Sequence, residues 1–420
     1  MNYSRPKGTQ DILPEEQPYW AHVRATVKRI AQAYGFERID LPIFEETTLF
    51  ARGVGESTDI VEKEMYSFED KGGRDLTLRP EFTAGVVRAY IENGFRVHPK
   101  PIKLFSIGPV FRYEQPQAGR YRQFHQFNAE ILGSQGPLAD LESMLLAWDI
   151  YATLGFQELS FQLNSTGCPQ CRPGYVDELV AYYRQHEDEI CENCRRRLKT
   201  NPLRVLDCKE AQCQPIIAEA PKITAHLCAD CAAHFAELRG YLDDLGRRYT
   251  LNHRLVRGLD YYTKTVFEVW AEGIGAQSAV CGGGRYDGLV ELLGGQPTPA
   301  VGFAAGLERI VMVMKAQDVA VPALPAPPVF IAHLGEAARV RAVRLLADLR
   351  DADVAAQIAI SGSLRSQLRT ADKKGARFTL ILGENELERG EVAVKDMTVR
   401  RGQQFVALDE IVDWLQEHLS

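Results

Sequence analysis

The sequence predicts an α+β protein: an antiparallel-sheet domain with a helical insertion, followed by a separate α/β domain. Three observations support this fold class. Strand patterns recur on both sides of a charged, cysteine-rich helical segment, and strands alternate with helices after a proline-rich stretch. The length of 420 residues is enough for two or three domains, since a domain usually takes roughly 100–200 residues.

The composition is that of a globular protein with a mild negative charge. Hydrophobic residues make up 45% of the chain and charged residues 25%, close to the averages for folded domains. The net charge of −7 excludes a protein that binds nucleic acid through an overall positive charge. Binding through local basic patches is still compatible with this charge. Neither a signal peptide nor a stretch long enough to span a bilayer is visible, so we expect a soluble, cytoplasmic protein without a membrane partner.

The first elements follow from hydrophobic periodicity. Apolar residues recur every three or four positions over 16–34, which predicts a helix that ends at Gly35. The segment 36–44 alternates apolar and polar residues up to Pro42, as an edge or interface strand would. Further strands are expected at 76–79, 103–113, 126–132, 265–269 and 278–281.

The domain boundaries follow from changes in composition. The first domain is predicted to cover 1–322, interrupted by the insertion at 168–248, and a proline-rich linker at 323–328 leads to the second domain at 329–420. In the second domain, strands are expected at 329–334, 357–361, 378–383 and 392–397, and helices at 337–351, 364–374 and 409–419.

The common glycine-rich phosphate loops are absent from the sequence. Neither G-x-x-x-x-G-K-[ST] nor G-x-G-x-x-G after a strand occurs, and GVGEST at Gly53 and GGGRYDG at Gly282 are the nearest runs. If a nucleotide binds, cationic side chains must therefore hold its phosphates.

The densest group of candidate residues lies in FRYEQPQAGRYRQFHQFNAE, 111–130. A strand with Arg112 and Glu114 on one face should lead into a Pro/Gly loop and a second strand, so that polar side chains converge. A solvated sheet face is the alternative for such a hairpin. Elsewhere, the glycines of AVGFAAGLERIV, Gly302 and Gly306, suit either a ligand that approaches closely or tight helix-to-sheet packing.

Taken together, these motifs resemble those of class II aminoacyl-tRNA synthetases, and among them histidyl-tRNA synthetases. GFERIDLPIFE resembles motif 1, FRYE with its loop resembles motif 2, and GFAAGLERI resembles motif 3. RGLDYYT and GGGRYDG are similar to the two signatures of histidyl-tRNA synthetases, and KGTQDILP and TLRPEFTAG are typical of the same family. The resemblance implies a class II catalytic domain, a C-terminal anticodon-binding domain, and histidine, ATP and tRNA as substrates.

The resemblance also implies roles for individual residues. The expected catalytic residues are Arg112, Arg257 and Arg309, because adenylate formation builds negative charge on phosphate oxygens. The expected ATP contacts are Arg112, Glu114, Arg120, Phe124 and Arg309, with Mg²⁺ bound mainly through phosphates and water. The expected histidine pocket consists of Glu81, Thr83, Arg112, Gln126, Glu130, Arg257, Tyr261, Tyr262 and Tyr286. Phe82 departs from the family, in which glycine is common at this position, and is expected to narrow the loop around Glu81.

Two partners are implied in the same way. Basic residues that begin on a helix of the second domain suit tRNA: Arg365, Arg369, Lys373, Lys374 and Arg377. A second basic stretch lies in the insertion at 195–199. Motif 1, around Pro42, implies a homodimer.

The cysteines are not explained by the resemblance. Eight of the nine lie between 168 and 231, in paired spacings: Cys168, Cys171, Cys191, Cys194, Cys208, Cys213, Cys228 and Cys231. Such pairs suit tetrahedral zinc, and eight ligands would make two sites, with His226 or His234 as a substitute ligand. Free thiols without a metal are the alternative.

Two other functions compete with that of a synthetase. The first is the regulatory synthetase-like subunit of ATP phosphoribosyltransferase, which lacks the C-terminal domain and tends to lose the arginine at Arg257. The second is a zinc-ribbon nucleic-acid-binding module that retains a synthetase body. The presence of both the arginine and the C-terminal domain opposes the first, and the intact motifs 2 and 3 oppose the second.

Overall fold

The computed structural model describes residues 3–55, 58, 60–116, 119–271, 279–399 and 402–419. The chain divides into two compact units, Met1–Pro322 and Ala323–Ser420. Sheets with packed helices make up both units, which confirms the predicted α+β class. In the described part of the chain, no helix has the length and apolar character needed to cross a membrane.

The first unit combines helices with mostly short strands. In chain order its elements are α1 (Gln17–Ala33), β1 (Glu37–Arg38), β2 (Phe44–Glu46), α2 (Thr47–Val54), β3 (Tyr66–Glu69), β4 (Asp75–Leu78), α3 (Thr83–Glu92), β5 (Ile102–Phe111), β6 (Gln123–Leu132), α4 (Pro137–Thr153), β7 (Ser160–Ser165), α5 (Arg172–Gln185), α6 (Glu192–Thr200), α7 (Gln214–Ala218), α8 (Ala229–Asp244), β8 (Tyr249–Leu251), β9 (Thr263–Trp270), β10 (Ala279–Arg285), α9 (Leu289–Leu292), β11 (Ala300–Gly306) and α10 (Leu307–Ala316). The helix predicted over 16–34 is confirmed as α1.

The main sheet of this unit has eight strands among the described residues, in the order β1-β5-β6-β11-β10-β9-β7-β8. Its central pairs are antiparallel, as predicted, whereas the outer pairs β1–β5 and β7–β8 are parallel. One face packs against α1, α4, α8 and α10 in a large apolar core. On the other face, α3 and α9 cover one end and leave the central strands free to build a site. Strands β2, β4 and β3 form a small separate sheet.

The insertion has a core of its own. Helices α5, α6 and α7, with short turns of 3₁₀-helix, bury an apolar cluster that includes Tyr175, Leu179, Tyr183, Cys194 and Ile217. The last helix of the predicted segment, α8, instead buries Phe235, Leu238 and Leu242 in the main core. The chain has therefore returned to the body of the first unit by the start of α8.

The second unit is a five-stranded sheet with helices. Its elements are β12 (Val329–His333), α11 (Glu336–Asp351), β13 (Ala356–Ile358), α12 (Leu364–Lys373), β14 (Phe378–Leu382), α13 (Glu384–Arg389), β15 (Glu391–Asp396), β16 (Gln404–Ala407) and α14 (Ile411–Leu419). The strand order is β13-β12-β14-β15-β16, with the first three parallel and the last two antiparallel. The strands and helices predicted for this region are confirmed to within a few residues.

Two strand predictions were wrong in extent. The segment 36–44 is not one strand. Arg79 Nη1 donates hydrogen bonds to the carbonyls of Leu41 and Pro42, so these carbonyls bond to a side chain and not to a neighbouring strand. Strand β5 ends at Phe111, before the predicted 113, because the Tyr113 N–H turns away to the Glu64 carbonyl at 2.7 Å.

The strand predicted at 278–281 is longer than expected. Ser278 lies outside the described residues, and β10 continues through the whole glycine run to Arg285. The glycines at 282–284 are therefore strand residues and not a loop.

Candidate active site

Two adjoining cavities lie over the central strands of the main sheet. The outer cavity has a volume of about 220 Å³ and the inner one about 150 Å³. Five residues line both: Arg112, Gln126, Arg257, Gly282 and Ala304. The two spaces therefore meet at a pair of arginines, so molecules in the two cavities would react beside these cations.

Glycines in β10 and β11 provide the space for this site. A Cβ atom on Gly282 would lie 2.3 Å from Arg257 Nη2, and one on Gly302 would lie 1.7 Å from Glu130 Oε2. Side chains at these positions would displace the two charged groups. The groups closest to the position of a Cβ on Gly302 are the Glu130 carboxylate and the Ala129 carbonyl of the adjacent strand β6.

The inner cavity contains two buried carboxyl groups, Glu81 and Glu130. Glu81 accepts hydrogen bonds from the first two N–H groups of α3, those of Thr83 at 2.6 Å and Ala84 at 2.7 Å. Burial raises the pKa of Glu81. Glu130 accepts from the Thr83 hydroxyl at 2.6 Å, the Asn128 amide at 2.9 Å and the Tyr286 hydroxyl at 2.5 Å. Burial outweighs these bonds and raises the pKa of Glu130 to about 7.

Tyrosine rings and one amide complete the inner cavity. The ring centroid of Tyr261 lies 4.7 Å from that of Tyr262 and 5.5 Å from that of Tyr286, so the three rings support one another. The Gln126 Oε1 atom is buried without a hydrogen-bond partner among the described residues. An orphan acceptor beside two carboxyl groups suits a ligand that carries a cationic amino group.

The raised pKa of Glu130 predicts a pH-dependent cost to stability. The folded protein binds the Glu130 proton more tightly than the unfolded chain, whose carboxyl keeps its ordinary value of 4.5. Its stabilising contribution is therefore complete below pH 4.5 and lost as the pH rises through about 7. At pH 8 the ionised side chain should cost about 3 kcal/mol.

We therefore expect Glu130→Gln to be more stable than the wild type at pH 8, because the amide keeps the size of the carboxyl without its buried charge. Its oxygen can still accept from Thr83 and Asn128, and its NH2 group can donate to the Tyr286 hydroxyl. The advantage should shrink as the pH falls towards 5, measured by urea unfolding of the ligand-free protein. The exposed Glu158→Gln serves as a control and should show no such trend. A variant less stable than the wild type at pH 8 would contradict this account.

The outer cavity is lined by several cations and by two aromatic side chains, Tyr121 and Phe124. Arg112 Nε donates to the Pro80 carbonyl at 2.9 Å, and its guanidinium lies 5.6 Å from the centre of the Phe124 ring. Arg120 lies 3.4 Å from Glu114. Burial, and then the charge of nearby Arg120, lower the pKa of Arg309. Closely spaced arginines favour a polyanionic ligand.

Glu268 was missed by sequence reasoning. Its Oε1 accepts from Arg257 Nη1 at 2.5 Å, and its Oε2 accepts from the Trp270 indole at 3.0 Å. The carboxylate therefore fixes the Arg257 guanidinium where the two cavities meet. The available signal was a single charged residue within the apolar strand predicted at 265–269.

Glu308 is a second residue that the sequence did not single out. Its two carboxylate oxygens accept from the His125 N–H at 2.9 and 3.0 Å, and its Oε1 lies 2.9 Å from His125 Nδ1. This contact ties the first turn of α10, which carries Arg309, to β6, which carries Phe124. No sequence spacing indicated the contact, because 183 positions separate its residues.

The Phe82 side chain does not line the inner cavity. The residue is 2% exposed, and its ring stacks on Arg79, whose guanidinium carbon lies 4.4 Å from the ring centre. Its φ of −101° is an ordinary value for a residue with a side chain, so the backbone does not require glycine. The loop keeps Glu81 and Thr83 at the cavity while Phe82 packs elsewhere.

The structure brings the predicted site residues together in these two spaces. The residues predicted for ATP all line the outer cavity: Arg112, Glu114, Arg120, Phe124 and Arg309. The residues predicted for histidine all line the inner cavity: Glu81, Thr83, Arg112, Gln126, Glu130, Arg257, Tyr261, Tyr262 and Tyr286. Arg112 and Arg257 line both cavities.

The eight clustered cysteines form two groups of four. The neck cluster consists of Cys168, Cys171, Cys228 and Cys231, and the inner cluster consists of Cys191, Cys194, Cys208 and Cys213. Within each cluster the sulfur atoms all lie within 4.8 Å of one another. Both clusters therefore offer four thiols to a single metal ion.

The two histidines proposed as substitute ligands lie outside both clusters, so that prediction was wrong. His226 Nε2 lies 3.0 Å from Glu178, and His234 Nε2 lies 3.4 Å from Asp140 and 3.3 Å from the Thr265 hydroxyl. Each imidazole contacts other polar groups, and each cluster has a full set of four thiols without it.

Comparisons with known proteins agree across the chain. A family model described as "Histidyl-tRNA synthetase" matches residues 8–310, and one described as "Anticodon binding domain" matches residues 328–418. A Histidine–tRNA ligase from Dehalococcoides mccartyi is 50% identical over 411 residues, which is 98% of this chain and 98% of that protein. One from Pelotomaculum thermopropionicum is 50% identical over 421 residues, 100% of this chain and 99% of that protein. The crystal structure of apo S. aureus histidyl-tRNA synthetase is similar with a TM-score of 0.82 at 37% identity, covering 98% of this chain and 99% of that one.

Proposed function

The chain belongs to the histidyl-tRNA synthetase family, and on that premise we propose how its two cavities carry out the reaction. It is a class II histidine–tRNA ligase, an AMP-forming enzyme that uses ATP to attach histidine to tRNA. The regulatory subunit of ATP phosphoribosyltransferase is the less supported alternative, because the curated relatives are ligases over the whole chain.

Histidine occupies the inner cavity and ATP the outer one. The observation that carries this assignment is the junction at Arg112 and Arg257, which line both spaces. The histidine carboxylate attacks the α-phosphorus of ATP, an O–P bond forms, and pyrophosphate leaves. Arg112 bridges the carboxylate and the α-phosphate, Arg257 stabilises the charge that grows on the α-phosphate, and Arg309 holds the γ-phosphate. A ribose hydroxyl of the terminal adenosine of tRNA then attacks the histidyl carbonyl, and AMP leaves.

Histidine is selected by hydrogen bonds in the inner cavity. Glu130 and Tyr262 are proposed to bind the two ring nitrogens, while Glu81, Thr83 and Gln126 hold the α-amino group. The free acceptor of Gln126 supports this second role. A pocket built to hydrogen-bond the imidazole leaves its own buried polar groups unpaired when an apolar isostere binds, so discrimination is strong.

ATP–pyrophosphate exchange with each amino acid in turn tests this function. Histidine alone should stimulate exchange. Exchange with no amino acid would favour the regulatory alternative, and exchange with a different amino acid would refute the assignment of the inner cavity.

Synthetases of this class use ATP with Mg²⁺, which neutralises phosphate charge. The outer-cavity carboxylates Glu114 and Glu268 already contact arginines, at 3.4 Å and 2.5 Å. We therefore propose that Mg²⁺ binds chiefly to phosphate oxygens and water. Glu114, whose contact with an arginine is the longer of the two, is the proposed protein ligand. The test is the Mg²⁺ concentration dependence of ATP–pyrophosphate exchange in Glu114→Gln. If this dependence is the same as in the wild type, Glu114 is not a Mg²⁺ ligand.

The basic residues of α12 are proposed to contact the tRNA. Arg365, Arg369 and Lys373 follow one another at intervals of four and are exposed, as are Lys374 and Arg377. Such a row suits a phosphate backbone, and the match to an anticodon-binding domain over 328–418 supports the assignment.

Since tRNA and ATP are cytoplasmic substrates, we also propose the cytoplasm as the compartment, which cell fractionation would test.

A homodimer is proposed through the small sheet near Pro42. Ile43 is 45% exposed and Phe44 52% exposed, and β2 is an edge strand. Exposed apolar side chains on a sheet edge favour pairing with another chain.

We expect the protein to sediment as a dimer, and Phe44→Glu to shift it towards monomer because a charge would then be buried in the contact. The exposed Val340→Glu in the second unit is the matched control and should leave the mass unchanged. A monomeric wild type at micromolar concentration in sedimentation velocity would refute the dimer.

The insertion is proposed to bind zinc, as expected from its cysteine spacing. The sulfur–sulfur distances support this: Cys168 lies 3.7 Å from both Cys171 and Cys228, Cys191 lies 3.8 Å from Cys208, and Cys194 lies 3.9 Å from Cys213. Zinc–sulfur bonds of about 2.3 Å in a tetrahedron place the sulfurs about 3.8 Å apart. The four measured distances agree with that value, and disulfide bonds of about 2.05 Å do not fit them.

A further inference from the structure

The neck cluster differs from the inner cluster in what it joins. Cys168 and Cys171 lie where the insertion leaves the main sheet after β7, whereas Cys228 and Cys231 lie at the start of α8, which packs into the main core. An ion held by all four thiols would link the two ends of the insertion. The inner cluster links residues within the insertion, and three of its four thiols belong to the insertion's own core.

The backbone around the neck cluster is already arranged for metal-bound thiolates. Gly167 has a φ of +66°, and a Cβ atom there would lie 2.9 Å from Cys171 Sγ, so the turn depends on glycine. The N–H of Cys168 donates to the same sulfur at 3.2 Å. Hydrogen bonds of this kind orient thiolate ligands and stabilise their charge.

Arg172, the first residue of α5, connects this cluster to the histidine pocket. Its Nε donates to the Thr166 carbonyl at 2.8 Å, and its Nη2 donates to the Gly167 carbonyl at 3.2 Å and also to the carbonyl of Tyr262. Tyr262 lines the inner cavity, and Arg172 follows Cys171 directly in the chain. The position of the Tyr262 backbone therefore depends on an arginine that the neck cluster holds in place.

We propose that zinc bound by the neck cluster fixes Arg172 against the Tyr262 carbonyl and thereby sets the affinity of the pocket for histidine. Arg172 is a positioning residue, because it acts through Tyr262 and is not among the residues that line the inner cavity. Zinc in the inner cluster stabilises the insertion without this effect. The inference rests on the proposed assignment of histidine to the inner cavity.

Two cysteine variants of the full chain separate the clusters: Cys228→Ser in the neck cluster and Cys208→Ser in the inner one. Elemental analysis should find about two zinc ions per wild-type chain and about one in each variant. In ATP–pyrophosphate exchange, Cys228→Ser should raise the KM for histidine about tenfold, which corresponds to about 1.4 kcal/mol and to the partial loss of one hydrogen bond from a charged donor. Its KM for ATP and its kcat should stay within about twofold of wild type, and Cys208→Ser should leave all three constants within about twofold.

Substitutions of Arg172 test the connection itself. Arg172→Ala should raise the KM for histidine as Cys228→Ser does while both zinc ions are retained, and Arg172→Lys should restore part of the affinity. If Cys228→Ser does not fold, removal of zinc from the folded wild type by a chelator should produce the same rise in KM, which added zinc reverses.

The possible failures are distinguishable. A wild type without zinc, or with iron in its place, would overturn the metal site whatever the enzyme does. Equal KM changes in the two cysteine variants, or no change in a Cys228→Ser protein that has lost its zinc, would overturn the proposed link between the neck cluster and the histidine pocket. A wild type with zinc but without histidine-dependent exchange would instead overturn the proposed function.

Discussion

Replacement of Arg257 by alanine should lower the rate of histidyl-adenylate formation about 10²–10³-fold, the usual loss when a donor to transition-state charge is removed. Histidine binding should weaken far less, because Glu81, Gln126, Glu130 and the tyrosines remain in the inner cavity. The effect should therefore appear in kcat and not mainly in the KM for histidine.

The structure explains why this arginine should matter so much. Its guanidinium is held from one side by Glu268 at 2.5 Å and lies against Gly282 on the other side. Such a group is oriented before the reaction begins, so it stabilises developing charge without reorganising. Gly282→Ala provides an independent check, because its Cβ would displace the same guanidinium while leaving Arg257 in the chain. It should reproduce most of the kinetic loss.

Exchange assays and equilibrium binding of histidine, on the same preparations, measure the two effects separately. Arg257→Lys is the matched control; it keeps the charge but loses the forked geometry, so an intermediate rate is expected. Equal losses in histidine affinity and in adenylation rate would contradict the role assigned to Arg257 in the transition state.

The sequence predicted most elements because their signals are local. Helix α1 follows from apolar spacing, and the strands of the second unit follow from short apolar runs between turns. The strand predicted at 278–281 stopped before the glycine run at 282–284, since three glycines in a row do not indicate a strand. This strand requires glycine because Arg257, Tyr262 and the backbone of β11 occupy the space that side chains would need.

The candidate site was predicted largely through the resemblance. Motifs name the residues that contact ligands, whereas the residues that hold those side chains in place carry no motif of their own. Glu268 and Glu308 act on partners through tertiary contacts, and Arg172 acts through a main-chain carbonyl. Every residue has a main-chain carbonyl, so a sequence does not show which carbonyl accepts a hydrogen bond from a given side chain. These roles can be identified only in the folded structure.

A buried ion pair beneath the active site should dominate the stability of the first unit. Arg285 and Asp140 are both fully buried, and Arg285 Nε lies 3.0 Å from Asp140 Oδ2. Arg285 also donates to the carbonyls of Ser134 at 2.8 Å and Gly136 at 2.9 Å, and to Asp287 at 3.0 Å. The guanidinium thus joins the end of β10 to the start of α4, with each of its nitrogens satisfied.

Asp140→Ala should lower the free energy of unfolding of the first unit by about 3–5 kcal/mol, because it leaves the Arg285 charge buried with less compensation. Urea unfolding of the full chain, with and without histidine and ATP, measures the loss. The double variant Asp140→Leu/Arg285→Met should recover only part of it, since the Ser134 and Gly136 carbonyls would then lack their donor. Glu158→Ala removes an exposed ion pair with Arg248 as a control and should cost less than about 1 kcal/mol. A loss for Asp140→Ala no larger than the control's would show that the pair is not needed for stability, and that its place beside Tyr286 serves the geometry of the pocket instead.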